Sequence, residues 1–414
     1  MRKLLALLLV FCLVFCTVSA ISEDEKVTLT FEFWGDSDEV ATRLKMIELF
    51  EAEHPNIHIE PSYTDGPSYQ TKIQMIFSSG ETPDVLGMAN DILLPYADTN
   101  LMCDLTELIE RDGLTDVWNP IAMDVLNIGG VQYGAPFEYK NIAIAYNKTL
   151  FDAAGVAYPE KGWTEEDMLE KAKALTNLEG RIPQYGMYLG GFDAQLIRDL
   201  YGSPVYDVVT NTMTAENNAA FKHAVEVFYQ MVAVDHSAPD STTADTYGGG
   251  FETGMFGMAL VAPWSTGTFP ELIGDSFEWD IVELPTNAEF GHWLGSLYGD
   301  GWCIGAKSEH KEEAWEFIKF MTTTDVCQRI ISDYAIPFYT AYAESEEYKT
   351  MDAGYTRTVF VDMLDYSNAW YSTGIWGRVN DVINTQYEKV LVNQMTIDEA
   401  IAAIQSEGTA LLSE

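Results

Sequence analysis

Basic residues are scarce in this chain of 414: 23 lysines and arginines stand against 64 aspartates and glutamates, a formal net charge of −41. A surface of that sign repels phosphate, which argues against nucleic acid or anionic lipid as a partner. Cysteine is scarce as well, five in all, with Cys12 and Cys16 close to the N-terminus. The other three, Cys103, Cys303 and Cys327, cannot all pair, so this is no disulfide scaffold; buried free thiols are expected, with a Cys303–Cys327 bridge left open. Among six histidines, His54 and His58 flank Pro55. That proline denies them a shared helix face, and with it a metalloprotease-type metal pair. There is no G-x-S-x-G elbow and no P-loop, and Gly299-Asp300-Gly301 followed by Gly305 only approaches a dinucleotide loop. Neither metal nor cofactor is expected.

Long hydrophobic runs are also missing. The one apolar stretch, residues 4–16, follows Arg2 and Lys3 and precedes Thr17-Val18-Ser19-Ala20. It is too short to span a bilayer and has the layout of a signal peptide, residues 1–20. Phe stands before each of Cys12 and Cys16 where a lipid-anchor site wants a small residue, so cleavage after Ala20 is favoured over lipidation. The mature chain is then expected to be exported, periplasmic or at the cell surface, with no transmembrane segment. Removing Arg2 and Lys3 leaves 21 basic residues against 64 acidic ones.

What is present is apolar and aromatic residues, 47% and 13% of the chain, at a length that suits two domains. Residues 27–34 alternate with period two, placing Val27, Leu29, Phe31 and Phe33 on one strand face. A helix follows with Val40, Leu44, Ile47 and Phe50 as its stripe and Asp36/Glu39 as a capping box. A strand at 56–63, a helix from about Ser68 and a strand at 83–88 continue the alternation. That order calls for a parallel sheet with right-handed crossovers, whose ligands lie beyond the strands' carboxyl ends. Those ends are Trp34, Tyr63 and Asn90-Asp91. Residues 131–135 and 142–146 are two β-prone runs, and between them Pro136-Phe137-Glu138-Tyr139-Lys140-Asn141 is extended, a segment suited to a site wall.

Beyond it come helices opened by Thr164 and Thr214, a strand at 184–189 with Tyr188 near its end, and a buried strand at 258–262 running into Pro263-Trp264. A strand near 279–284 and a glycine-rich loop at 295–301 lead to a strand at 302–306. A helix carries Ala314, Phe317, Ile318 and Met321; another starts near Trp376, and Thr396/Glu399 caps the last one.

In order along the chain, Phe33-Trp34-Gly35-Asp36, Thr82-Pro83-Asp84-Val85, Tyr133-Gly134-Ala135-Pro136, Tyr146-Asn147-Lys148, Phe251-Glu252-Thr253-Gly254, Pro263-Trp264 and Thr396-Ile397-Asp398-Glu399 resemble the extracellular solute-binding proteins of ABC importers. The resemblance is to the group that includes maltose- and oligosaccharide-binding proteins. It implies an α/β fold of two lobes, each a mostly parallel sheet flanked by helices, with the ligand cleft at the hinge. Lobe 1 would be 21–138 with 303–350, and lobe 2 would be 139–302 with 351–414. Residues 136–141 and 300–304 would be crossings, with a third some ten residues after Pro337.

The resemblance also implies a carbohydrate ligand, hinge closure, docking on permease subunits of an ABC transporter, and a monomer without enzymatic activity. Carried over by position, ligand contacts are expected at Trp34, Asp36, Asn90, Asp91, Lys140, Trp264 and Trp376, with Trp370 as the alternative to Trp376; Glu138 and Asp300 on the crossings join them, as do Tyr63 and Tyr188 at strand ends. Lys140 stands where some relatives have an acidic contact, and Ile92 where maltose binders carry a basic residue, so maltose itself is in doubt. Carboxylates and amides suit sugar hydroxyls, and indole faces suit the C–H side of the ring. A cationic ligand such as a polyamine or peptide stays open as an alternative, and so does a secreted glycoside hydrolase.

Overall fold

A computed structural model describes residues 26–413 apart from 90–92, 94–95, 97–98, 208–209, 352–353 and 370–375. β1 (Val27–Trp34), α1 (Ser37–Glu53), β2 (Ile57–Thr64), α2 (Gly66–Ser78) and β3 (Val85–Ala89) alternate as the periodicity requires. Asp36 accepts hydrogen bonds from the backbone of Asp38 and Glu39 while Glu39 reaches back to the Asp36 N–H, completing the box that opens α1. α2 starts two residues earlier than expected because Asp65 caps it through Ser68 N–H and a proline stands in its first turn.

The chain then crosses to a second sheet along β4 (Ala135–Lys140) and β5 (Ala143–Asn147). α3 (Glu165–Leu175) is capped by Thr164 and Asp167 in a reciprocal pair. β6 (Tyr185–Tyr188) and α4 (Ala219–Tyr229) follow. α4 was expected from Thr214, yet Asn218 caps it, because the Asn218 carboxamide takes the Phe221 N–H; residues 215–217 form a separate tight turn. β7 (Phe256–Val261), α5 (Pro263–Ile273) and β8 (Trp279–Val282) complete the second sheet's strands. β9 (Gly295–Ile304) returns to the first sheet, followed by α6 (Lys311–Thr323), β10 (Ser367–Ala369), α7 (Trp376–Leu391) and α8 (Ile397–Leu411).

The first sheet has the order β10-β9-β3-β1-β2, with β4 also on β9. β1 runs parallel to β2 and β3, while β9 runs against β3 and β4. The second has the order β8-β5-β7-β6. Parallel pairing, expected in both, is confined there to β7 with β6. β5 enters directly from the crossing and so runs against both its neighbours. Each sheet buries its own core. Leu29, Phe31 and Phe33 are buried on β1, where Phe317 of α6 lies edge-on to Phe31 at 5.2 Å, and all five residues of β5 are buried.

Residues 295–301, expected to form a loop, are instead the first part of the ten-residue strand β9. The glycines serve close packing here. A Cβ on Gly299 would sit 2.2 Å from Val125 Cγ2 and one on Gly301 2.5 Å from Leu126 Cδ1. Cys303 and Cys327 are buried free thiols, and Cys103 is free and half-buried. No helix among the described residues is long and apolar enough to cross a membrane.

Candidate functional site

β4 and β9 lie side by side where the two sheets meet, with Glu138 opposite Asp300 in register and an irregularity just after Asp300. This pairing brings three expected site residues together. Lys140 Nζ stands 2.5 Å from Glu138 Oε1, 3.6 Å from Asp300 Oδ2 and 3.7 Å from Glu39 Oε1. Glu138 is 0% exposed and Lys140 keeps 13% of its side chain in solvent. Burial opposes the Lys140 charge, but Glu138, Asp300 and Glu39 overcome that penalty and hold its pKa well above the ordinary lysine value. Burial likewise pushes the Glu138 pKa up, and Lys140 with Arg43 outweighs it, so the carboxyl ends below its usual range. Both groups are charged at neutral pH.

Trp264 faces this cluster from the second sheet. β7 ends at Val261, and after Ala262 the helix α5 opens on Pro263, so Trp264 stands on the first turn of a helix at the end of a strand. Its indole is 36% exposed. The Lys140 ammonium lies 5.6 Å from the ring centre, and Phe192 flanks the ring at 6.2 Å. An ammonium held at a partly open indole gives the site a polar edge from the first sheet and an apolar plate from the second.

Trp34 is half-buried at the end of β1, against Tyr69 at 5.0 Å and Phe137 at 6.4 Å. Gly87 leaves the space it occupies, since a Cβ there would come within 2.8 Å of the indole. Asp36 is exposed, but one carboxylate oxygen is engaged in capping α1. Tyr63 pairs with Phe33 in register and stacks on it at 5.3 Å, so it lies on the sheet face opposite Trp34, 48% exposed. Tyr188 lines a different cavity, of about 320 Å³, with Asp193, Asn384 and Tyr387. Asn90, Asp91 and Trp370 lie outside the described residues, as does the side chain of Trp376 at the start of α7.

Two members of the cluster were missed from sequence. Arg43, 1% exposed, sits 3.8 Å from Glu138 Oε2 and 4.0 Å from Glu39 Oε2. Glu39 supplies both the cap of α1 and one wall of the lysine's cage. The signal was available in part: Arg43 falls on the stripe Val40, Leu44, Ile47, where a charge among apolar residues marks a buried partner. Outside this cleft, Glu165 accepts hydrogen bonds from Trp293 Nε1 at 2.7 Å and Asn287 Nδ2 at 3.0 Å, besides Tyr201, with His223 Nε2 at 2.8 Å. No cluster able to hold a metal occurs among the described residues.

Two α/β lobes joined by paired crossing strands, with polar and aromatic groups gathered where they meet, define a bilobed binding protein. The comparisons agree. Residues 34–326 match the family described as bacterial extracellular solute-binding protein, and the chain belongs to that family. A relative named multiple sugar-binding protein, from Streptococcus mutans, is 24% identical over 328 residues, 76% of each chain. Among solved structures, the ABC substrate-binding protein Lmo0181 from Listeria monocytogenes in complex with cycloalternan superposes with a TM-score of 0.79. That match has 22% identity and covers 94% of this chain and 99% of that one. The cyclic alpha-maltosyl-1,6-maltose binding protein from Arthrobacter globiformis gives a TM-score of 0.80 at 19% identity, covering 93% and 99%.

Proposed function

We propose that this protein captures a carbohydrate, in the first instance an oligosaccharide, between its two lobes and delivers it to the permease subunits of an ABC transporter. The observation that carries the reading is the exposed face of Trp264 set against the Lys140, Glu138, Asp300 cluster. A sugar ring stacked on the indole would present its hydroxyls to charged donors and acceptors, which make the stronger hydrogen bonds. Ligand touching both lobes favours the closed arrangement by its differential affinity, and a few kcal/mol suffices.

In this reading lobe 1 is 21–138 with 303–350 and lobe 2 is 139–302 with 351–414; the first two breaks fall inside β4 and β9, so Lys140 and Asp300 stand at the boundary between the lobes. Trp34, Asp36, Asn90, Asp91 and Trp376 extend the ligand contacts around the same cleft. The protein acts as a monomer outside the cytoplasm and performs no catalysis, so a bound oligosaccharide is recovered intact after long incubation. The acid excess favours one competing reading, a cationic ligand. Tryptophan fluorescence titrated with neutral oligosaccharides, polyamines and peptides separates the two: saturable change with a sugar supports the proposal, and saturable change with polyamines or peptides alone rejects it.

A further inference from the structure

Arg43 is an unusual residue to find where it is. Its guanidinium is 1% exposed, yet none of its three nitrogens has a hydrogen-bond partner among the described residues. Its central carbon lies over two aromatic rings instead, 4.8 Å from the centre of Phe137 and 5.7 Å from that of Phe33. Taking such a charge out of water costs several kcal/mol and is tolerated only against an opposite charge. Glu138 supplies that charge, and it faces two ways. Its Oε2 lies 3.8 Å from Arg43 and its Oε1 lies 2.5 Å from Lys140. One carboxylate therefore spans two cations: the first on α1, behind the cleft, and the second at the indole of Trp264.

Without Arg43, Glu138 would be a fully buried carboxylate with Lys140 as its one close cation, and one of the two charges that oppose its neutralisation by burial would be gone. A neutral Glu138 would release Lys140 to Asp300 and Glu39, at 3.6 and 3.7 Å, and so move the ammonium relative to Trp264. We propose that Arg43, which does not face the cleft, is a positioning residue that sets ligand affinity by keeping Glu138 charged and thereby fixing Lys140. This inference rests on the sugar reading above.

The test is a double-mutant cycle on affinity, using a sugar that the wild type binds, with Arg43→Met, Lys140→Met and the two combined. Arg43→Met and Lys140→Met are each expected to weaken binding about tenfold, with the pair no weaker than Lys140→Met alone. Arg43→Lys, which keeps the charge, is expected to bind within about threefold of wild type. If Arg43→Met does not fold, Arg43→Met with Glu138→Gln removes both buried charges and is expected to bind as weakly as Lys140→Met. Equal losses from Arg43→Met in both backgrounds, or wild-type affinity in either Arg43→Met protein, overturn the inference and leave the sugar reading intact. A wild type that binds no carbohydrate overturns both.

Discussion

The indole of Trp264 is the residue on which most of the account turns. It was legible from the sequence because a buried strand ran straight into Pro263, which left the next side chain at a strand end. Trp264→Ala is expected to weaken sugar binding at least about tenfold, roughly 1.4 kcal/mol. The unfolding midpoint should stay near wild type, because the ring is 36% exposed; calorimetric titration beside urea unfolding checks both. Arg43 was not legible, since a single sequence does not reveal which charge on a stripe is solvated and which is buried. Tyr63 shows a related limit. Its place at a strand end was correct, but the sheet face followed only from its register with Phe33.

Elements were most readable where a periodic pattern coincided with a capping pair, as at Asp36/Glu39 and Thr396/Glu399. They were least readable where glycine served packing. Glycine at 295, 299 and 301 reads as a loop because composition does not distinguish backbone freedom from backbone proximity. Gly299→Val forces a side chain into Val125. It is expected to cost about 1–3 kcal/mol, seen as a lower urea midpoint; an unchanged midpoint would mean that Val125 yields.

A second element-scale prediction concerns pH. His223, stacked on Phe290, is held by Glu165 and faces Glu226 and Glu289, and its pKa is raised above the ordinary 6.5 chiefly by the Glu165 hydrogen bond. A raised folded pKa means the stabilisation is complete below 6.5 and is lost as pH rises through the folded value. His223→Gln should therefore remove about 1 kcal/mol or less at pH 6 and little at pH 9. Denaturant unfolding at the two pH values measures the difference, and an equal loss at both would contradict the assignment.

At the scale of the molecule, a net charge of −41 repels itself. Screening should raise the melting temperature between about 10 mM and about 150 mM sodium chloride, and a salt-independent melt would show the acids to be locally compensated. The two-lobed plan was legible because strand and helix patterns alternated on both sides of one extended crossing. The mixed direction of the second sheet was not, since it depends on which way β5 enters.

The claim beneath all of this is that a sugar holds the two lobes together. Small-angle X-ray scattering with and without a sugar shown to bind tests it most directly. The account predicts a smaller radius of gyration on saturation, and no such contraction for Trp264→Ala at the same sugar concentration. An identical scattering curve with the wild-type cleft fully occupied would contradict it.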